Sequence, residues 1–229
     1  SGFGAAPVKS EGSAIAYDSA QEVFTARYNH ETVAMGFSIT EEAVEDNLYD
    51  SLSARYTKAL ARAMASTKQT KSAYPLNNGF SANFQSGDGV NLFTASGDGV
   101  TGGDGHPLVN GGKNSNRPST LSDLNETSLE QAVIDIAAFT DQRGLKIAAR
   151  PKRLIVPAAN MFVATRVLES DKRAGTADND VNALRTNGSI PDGWRVNHYL
   201  TDSDAWFIIT DVPNGMKGFN RTPLQTSMD

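Results

Sequence analysis

TEEAVEDNLYDSLSARYTKALARAMASTKQTKS, residues 40–72, reads as one long helix. Thr40 stands at the cap position, and Glu41, Glu42, Glu45 and Asp46 fill the first turns. Val44, Leu48, Leu52, Tyr56, Leu60 and Met64 recur every four residues, a stripe that winds slowly around a helix. Ala54, Ala59, Ala61, Ala63 and Ala65 favour helix and permit close packing. At about 1.5 Å per residue the element is roughly 45 Å long, well beyond the usual helix. Its charges are segregated. Glu41, Glu42, Glu45, Asp46 and Asp50 come first, then Arg55, Lys58, Arg62, Lys68 and Lys71 with no acid among them. Two accounts stand: matching to the helix dipole, or a polar bar that docks charge-complementary neighbours.

Before this helix, residues 1–38 read as a β-hairpin with a polar tip at Lys9–Ser13. Strand-forming residues sit at Val23, Thr25, Arg27 and Val33–Phe37. So few are large and apolar that the hairpin needs something else to lie on, or is an ordinary edge hairpin of the same domain. After the helix comes a Gly/Asp-rich loop, residues 77–116. Within it Ser86-Gly87-Asp88-Gly89-Val90 recurs as Ser96-Gly97-Asp98-Gly99-Val100, and Asp104-Gly105 follows. Val90–Phe93 reads as a short strand between the turns. A second helix is expected over 127–143, with Thr127 and Glu130 as a capping box and Gly144 as its stop. Short strands at 145–149 and 153–156 and a third helix at 158–170 come next. A helical turn at 181–184, strands at 194–199 and 205–210, and a last strand from Gly218 to Thr226 complete the order. This is α+β and lacks the regular alternation of a doubly wound sheet.

The 229 residues suit one large domain or two small ones, and 39% apolar residues suffice for a core. With 21 Lys+Arg against 26 Asp+Glu, the net charge of −5 gives no support for a mainly electrostatic nucleic-acid binder. Cysteine is absent, which excludes disulfides and thiolate chemistry. No apolar run is long enough to span a membrane, and no signal-peptide pattern is visible. The start at Ser1 reads as a processed, truncated or excerpted chain.

The sequence carries no recognisable catalytic, cofactor-binding or metal-ligating motif. His30, His106 and His198 lack ligand spacing. Gly97–Gly102 matches GxGxxG, yet Gly103-Asp104-Gly105-His106-Pro107 follows and cannot open the required helix. The Ser-Gly-Asp-Gly-Val repeat offers oxygen ligands for calcium, which keeps a soluble calcium-dependent binding module as a rival, although the EF-hand order is absent. Arg143, Lys146, Arg150, Lys152 and Arg153 form a basic stretch without clustered aromatics, read as a solvated face or an inter-subunit charge patch. What remains is a long helix, a coreless hairpin and large loops, which suit a protein completed by its neighbours.

Gly2-Phe3-Gly4 through Pro7-Val8-Lys9 and Gly12–Asp18 resemble the E-loop of tailed-bacteriophage major capsid proteins. Met35–Thr40 followed by Glu42–Tyr49 resembles the entry to their spine helix. Leu92-Phe93-Thr94, His106–Gly112 and Ser115-Asn116 resemble their central loop. Leu129–Ala148 with Asp141–Leu145, then Leu154–Pro157, Asn197–Asp202 and Ala205–Ile208, continue the likeness in order. The resemblance implies the HK-ninety-seven-type capsid fold. It places the E-loop hairpin at 1–37, the P-domain at 38–156 with the spine helix at 40–72, the A-domain at 157–210, and a return toward the P-domain at 211–229. The family's N-terminal arm and last P-domain strand have no counterpart, so the chain reads as truncated.

By the same resemblance the protein is a structural shell subunit and not an enzyme. Its partners are copies of itself in hexamers and pentamers, with scaffolding, portal and decoration proteins, around DNA bound without sequence specificity and with no membrane. The implied place is the virion capsid, assembled in the bacterial host cytoplasm. An encapsulin-like nanocompartment shell is the alternative within the fold. Gly97–Gly105 sits like an insertion, a candidate display or decoration loop. Some relatives join an E-loop lysine to a neighbouring asparagine. Lys9 occupies a comparable place, but no asparagine or acid can be matched, so cross-linking is not read.

Overall fold

The computed structural model describes residues 2–20, 24–25, 27–46, 49–97, 104–173, 180–213 and 215–225. The long helix appears as two pieces, α1 (Glu41–Glu45) and α2 (Tyr49–Asn78). Thr40 occupies the N-cap of α1, but its side chain makes no capping hydrogen bond. At the other end α2 runs past the expected stop at 72. Pro75 lies inside it, withholding only its own N–H in the last turn, where little helix remains to be broken. Thr67, Thr70 and Ser72 donate their hydroxyls to the carbonyls of Ala63, Ser66 and Lys68, so these mid-helix polar groups are satisfied locally.

The chain divides into two compact units. The smaller comprises Tyr28–Pro75 and Lys217–Asp229. It is thinly packed. Phe37 stands edge-on to Tyr56 at 5.6 Å, and Tyr28 meets Phe219 at 5.4 Å. Glu31 pairs with Lys71, whose hydrogen bond and charge hold the carboxyl below its ordinary value. The last strand expected at 218–226 is not formed among its described residues. Phe219 instead anchors this segment through its ring.

The larger unit comprises Ser1–Arg27 and Leu76–Met216 and holds the core. Its centre is β3 (Pro151–Val156), flanked by β4 (Trp194–Val196) and β5 (Phe207–Thr210) in the order β4-β3-β5. β4 runs parallel to β3, with Leu154 opposite Trp194. β5 runs antiparallel, with Leu154 opposite Ile208. Pro151 sits at the strand's first position, where a missing N–H is tolerated, and the register shifts between it and Arg153. α3 (Glu126–Ala137), α4 (Met161–Glu169) and α5 (Ala183–Thr186) pack on this sheet. Leu124, Leu129, Leu154, Val156, Ala164, Leu184 and Ile190 form the buried cluster. This cluster draws on residues from both sides of position 156. Buried Asn182 caps α5 at the amide of Arg185 and donates to the carbonyls of Val167 (2.7 Å) and Ser170 (3.0 Å), tying the end of α4 to the link that pairs Lys172 with Val181.

Four further expected elements differ. α3 is capped by Asn125 and Ser128, not by Thr127 and Glu130. It ends at Ala137, because the Asp141 carboxylate takes the amides of Arg143 (2.9 Å) and Leu145 (2.8 Å) and closes a turn instead. Thr140 then bridges Lys146 around that turn, and Gly144 (φ +84°) supplies its left-handed residue rather than a helix stop. The strands expected at 90–93 and 145–149 reduce to single bridges, Gln85 to Asn91 and Thr140 to Lys146. The β-hairpin expected at 1–37 forms no ladder among the described residues. Its apolar side chains face solvent, and a hairpin with no buried face does not hold its pairing.

Candidate assembly surfaces

The N-terminal segment is an excursion tied at both ends. The guanidinium of Arg143 pairs with Asp18 (3.1 Å) and donates to the carbonyls of Gly2 (3.3 Å) and Ser19 (3.2 Å). The amide of Gly4 donates to Asp18 at 2.7 Å. That hydrogen bond outweighs the opposing effect of burial, and the amide of Ser19 and the charge of Arg143 add to it, so the Asp18 carboxyl is held below its ordinary value. Between these ties, residues 5–17 are exposed throughout. Val8 is 99% and Tyr17 96% accessible. A turn from Ser10 to Ser13 makes the tip, and exposed Lys9 stands beside it. The segment has position but no core of its own.

α2 is the second such surface. Among its described side chains only Ala73 is buried. Leu52, Leu60 and Met64 of the expected stripe are half-covered and Tyr56 is exposed. Arg55, Lys58, Arg62 and Lys68 are exposed and make no ion pair with a described residue, and the last turn carries no base. Dipole matching acts within the terminal turn, so it does not account for the basic half of the helix.

The Gly/Asp-rich loop is an ordered polar scaffold. β1 (His106–Pro107) pairs with β2 (Lys113–Asn114), and Phe80, Phe93 and Phe207 cluster beneath with ring centres 4.9–6.0 Å apart. Asn116 accepts from the Thr94 amide (2.9 Å) and donates to Leu92 (2.6 Å), while Asn77 makes a similar pair with Tyr199 and Thr201. Side-chain amides thus do what strand ladders would do. They carry no periodicity, and sequence patterning misses them. Most of the insertion expected at Gly97–Gly105, together with the Asp98 turn, lies outside the described residues.

Ser86, Asp88 and His106 form a small polar cluster in this loop. Ser86 donates to Asp88, and Asp88 lies 2.6 Å from Nδ1 of His106. This is not a nucleophilic triad. The hydroxyl sits on the carboxylate, and the buried Nε2 of His106 has no partner. Burial pushes the Asp88 carboxyl up, but the Ser86 hydroxyl, the His106 ring and the Val90 amide outweigh it and hold it below its ordinary value. Asp104 is likewise engaged by Lys113 and by the Gly97 amide. Among the described residues no three His, Asp or Glu converge as metal ligands, and no helix is long and apolar enough to cross a membrane. His30 and His198 are exposed. The basic stretch is divided: Arg143 holds Asp18 and Arg153 lies 3.6 Å from Asp192, while Lys146, Arg150 and Lys152 face solvent.

Such a chain, with a compact core and long surfaces left open, is matched by a protein-family model described as "Phage capsid protein" over residues 23–228. The chain belongs to the phage capsid protein family. No curated protein and no solved structure matches it. As a phage capsid protein it is a structural component of the virion capsid, from a family without enzymatic activity, and it associates with copies of itself. The match begins at residue 23, so the excursion held by Arg143 lies before it.

Proposed function

We propose that this phage capsid protein is the major shell subunit of an icosahedral, HK-ninety-seven-type head that encloses phage DNA. Residues 1–37 act as the E-loop, 38–156 as the P-domain with the spine helix and Gly/Asp-rich loop, 157–210 as the A-domain, and 211–229 as the return toward the P-domain. The observation that carries this reading is α2, a 30-residue helix with one buried residue among its described side chains. A helix in water gains most of its stability from a packed face, and this face is open within the chain. Repeated, symmetry-related interfaces would cover it. The excursion at 2–19 supports the same reading, since its exposed Val8, Ile15 and Tyr17 are suited to burial on a neighbour. Gly97–Gly105 would receive a decoration protein.

The test is particle mass. Sedimentation velocity with negative-stain imaging of the full-length chain from its natural source should give closed shells of megadalton mass containing DNA. A lasting monomer or dimer would overturn the proposal, and shells filled with a cargo enzyme would replace it with a nanocompartment.

A further inference from the structure

We propose that the basic face of α2 formed by Arg55, Lys58 and Arg62 docks the acidic segment Glu41–Asp46 of a second copy of the chain. The inference rests on the shell reading and deepens it by naming one contact and its chemistry. Spaced at i, i+3 and i+7, these three cations lie on one strip of the helix, about 10 Å long. All three are exposed, and none is paired with a described residue, whereas Lys71 further along is satisfied by Glu31. Glu41, Glu42, Glu45 and Asp46 are equally exposed and unpaired. Within α1, Glu41 and Glu45 share one face, and Asp46 follows Glu42 at the same spacing.

α1 itself points to a partner. It has five residues, no buried side chain and no side-chain cap, far short of the length at which a helix persists unaided in water. A docked surface would supply what it lacks. Among the described residues the two charge sets do not meet within the chain, so a second copy offers each set its complement. Packaged DNA is the less suitable occupant. Its phosphates would approach a strip preceded by the carboxylates of Glu41, Glu42, Glu45 and Asp46, on a chain of net charge −5.

Three full-length variants test this: Arg55→Glu/Lys58→Glu/Arg62→Glu, Glu41→Lys/Glu42→Lys/Glu45→Lys, and both sets combined. Glu and Lys are good helix formers, and unchanged far-ultraviolet circular dichroism of the dissociated chains checks that the fold survives. Each single set should lower the yield of closed particles by about tenfold or more, and added salt should weaken wild-type assembly. The combined set, and an equimolar mixture of the two single sets, should restore assembly. Normal assembly of either single set would overturn the proposal, as would a combined set no better than its parents. A loss that follows DNA content and is not rescued by the swap would give the strip to DNA and also overturn it. If the wild type forms only open oligomers, the shell reading falls. A charge swap that still abolishes and then restores those oligomers would leave the docking standing.

Discussion

Leu154→Ala and Leu60→Ala should separate the stability of the chain from the stability of its assembly. Leu154 is fully buried at the centre of β3, between Trp194 on one side and Ile208 on the other, within the cluster that includes Leu129 and Ala164. Removing its three outer carbons loses about 2.4 kcal/mol of transfer free energy. The cavity left in a sheet with neighbours on both edges brings the expected loss to about 3–4 kcal/mol. For a chain of this size that lowers the melting midpoint by about 10 °C. Both tryptophans, Trp194 and Trp206, pack against this same cluster, so their fluorescence reports its unfolding directly. Leu60 lies on the half-covered stripe of α2, and its truncation should cost the dissociated chain about 1 kcal/mol or less, read by helical circular dichroism. In the particle, where the proposed neighbour completes the burial, the same change should remove about 1.5–2 kcal/mol per contact, more than tenfold in association. Equal losses for the two variants in the dissociated chain would refute the reasoning, because α2 would then already be packed within its own chain.

Replacing Arg143 with Ala should release the N-terminal excursion, making the chain around residues 2–19 the first site of limited proteolysis while the tryptophan-monitored midpoint stays nearly fixed; Arg143→Lys should restore only part of the protection. Asp88 is depressed in the folded state, so its stabilisation is complete above about pH 4 and is lost as pH falls through the folded value; Asp88→Asn should flatten that acid limb in urea midpoints taken from about pH 5 to about pH 2.5. Gly105→Ala should cost about 2 kcal/mol, since φ is +76° and a Cβ would stand 3.1 Å from the Asn114 carbonyl. Gly36→Ala, with neither constraint, should be close to neutral in the same melts.

The parts of the fold legible in the sequence were those with period and punctuation. The i, i+4 stripe announces α2, and the apolar runs at Leu154–Val156 and Phe207–Ile209 announce their strands. The boundaries failed where side chains compete with the backbone. Asp141 closes a turn at the expense of the last turns expected of α3, and Asn125 outcompetes Thr127 for the cap. The loop stayed opaque for a related reason. Asn77, Asn91 and Asn116 serve as surrogate backbone there, and nothing in their spacing marks which carbonyl each will reach. Of the candidate surfaces, the charge segregation of α1 and α2 was visible at once. The tie between Arg143 and Asp18 joins residues 125 positions apart and has no local signature.

The uneven burial separates what the chain completes by itself from what it leaves open. The sheet, α3 and α4 need nothing from outside, because Leu129, Leu154, Val156 and Ala164 are already sealed. α1, α2 and the excursion are the elements whose apolar and charged groups remain open. Their local stability therefore sits at the low end of the chain's range until neighbours arrive. Free energy from contacts on these elements goes into association as well as into ordering them, so each contact is individually modest. In the proposed shell, modest contacts repeated on every subunit would be collectively firm yet correctable one subunit at a time during growth. A subunit with the same area already buried internally would be more stable alone and would have less surface with which to assemble.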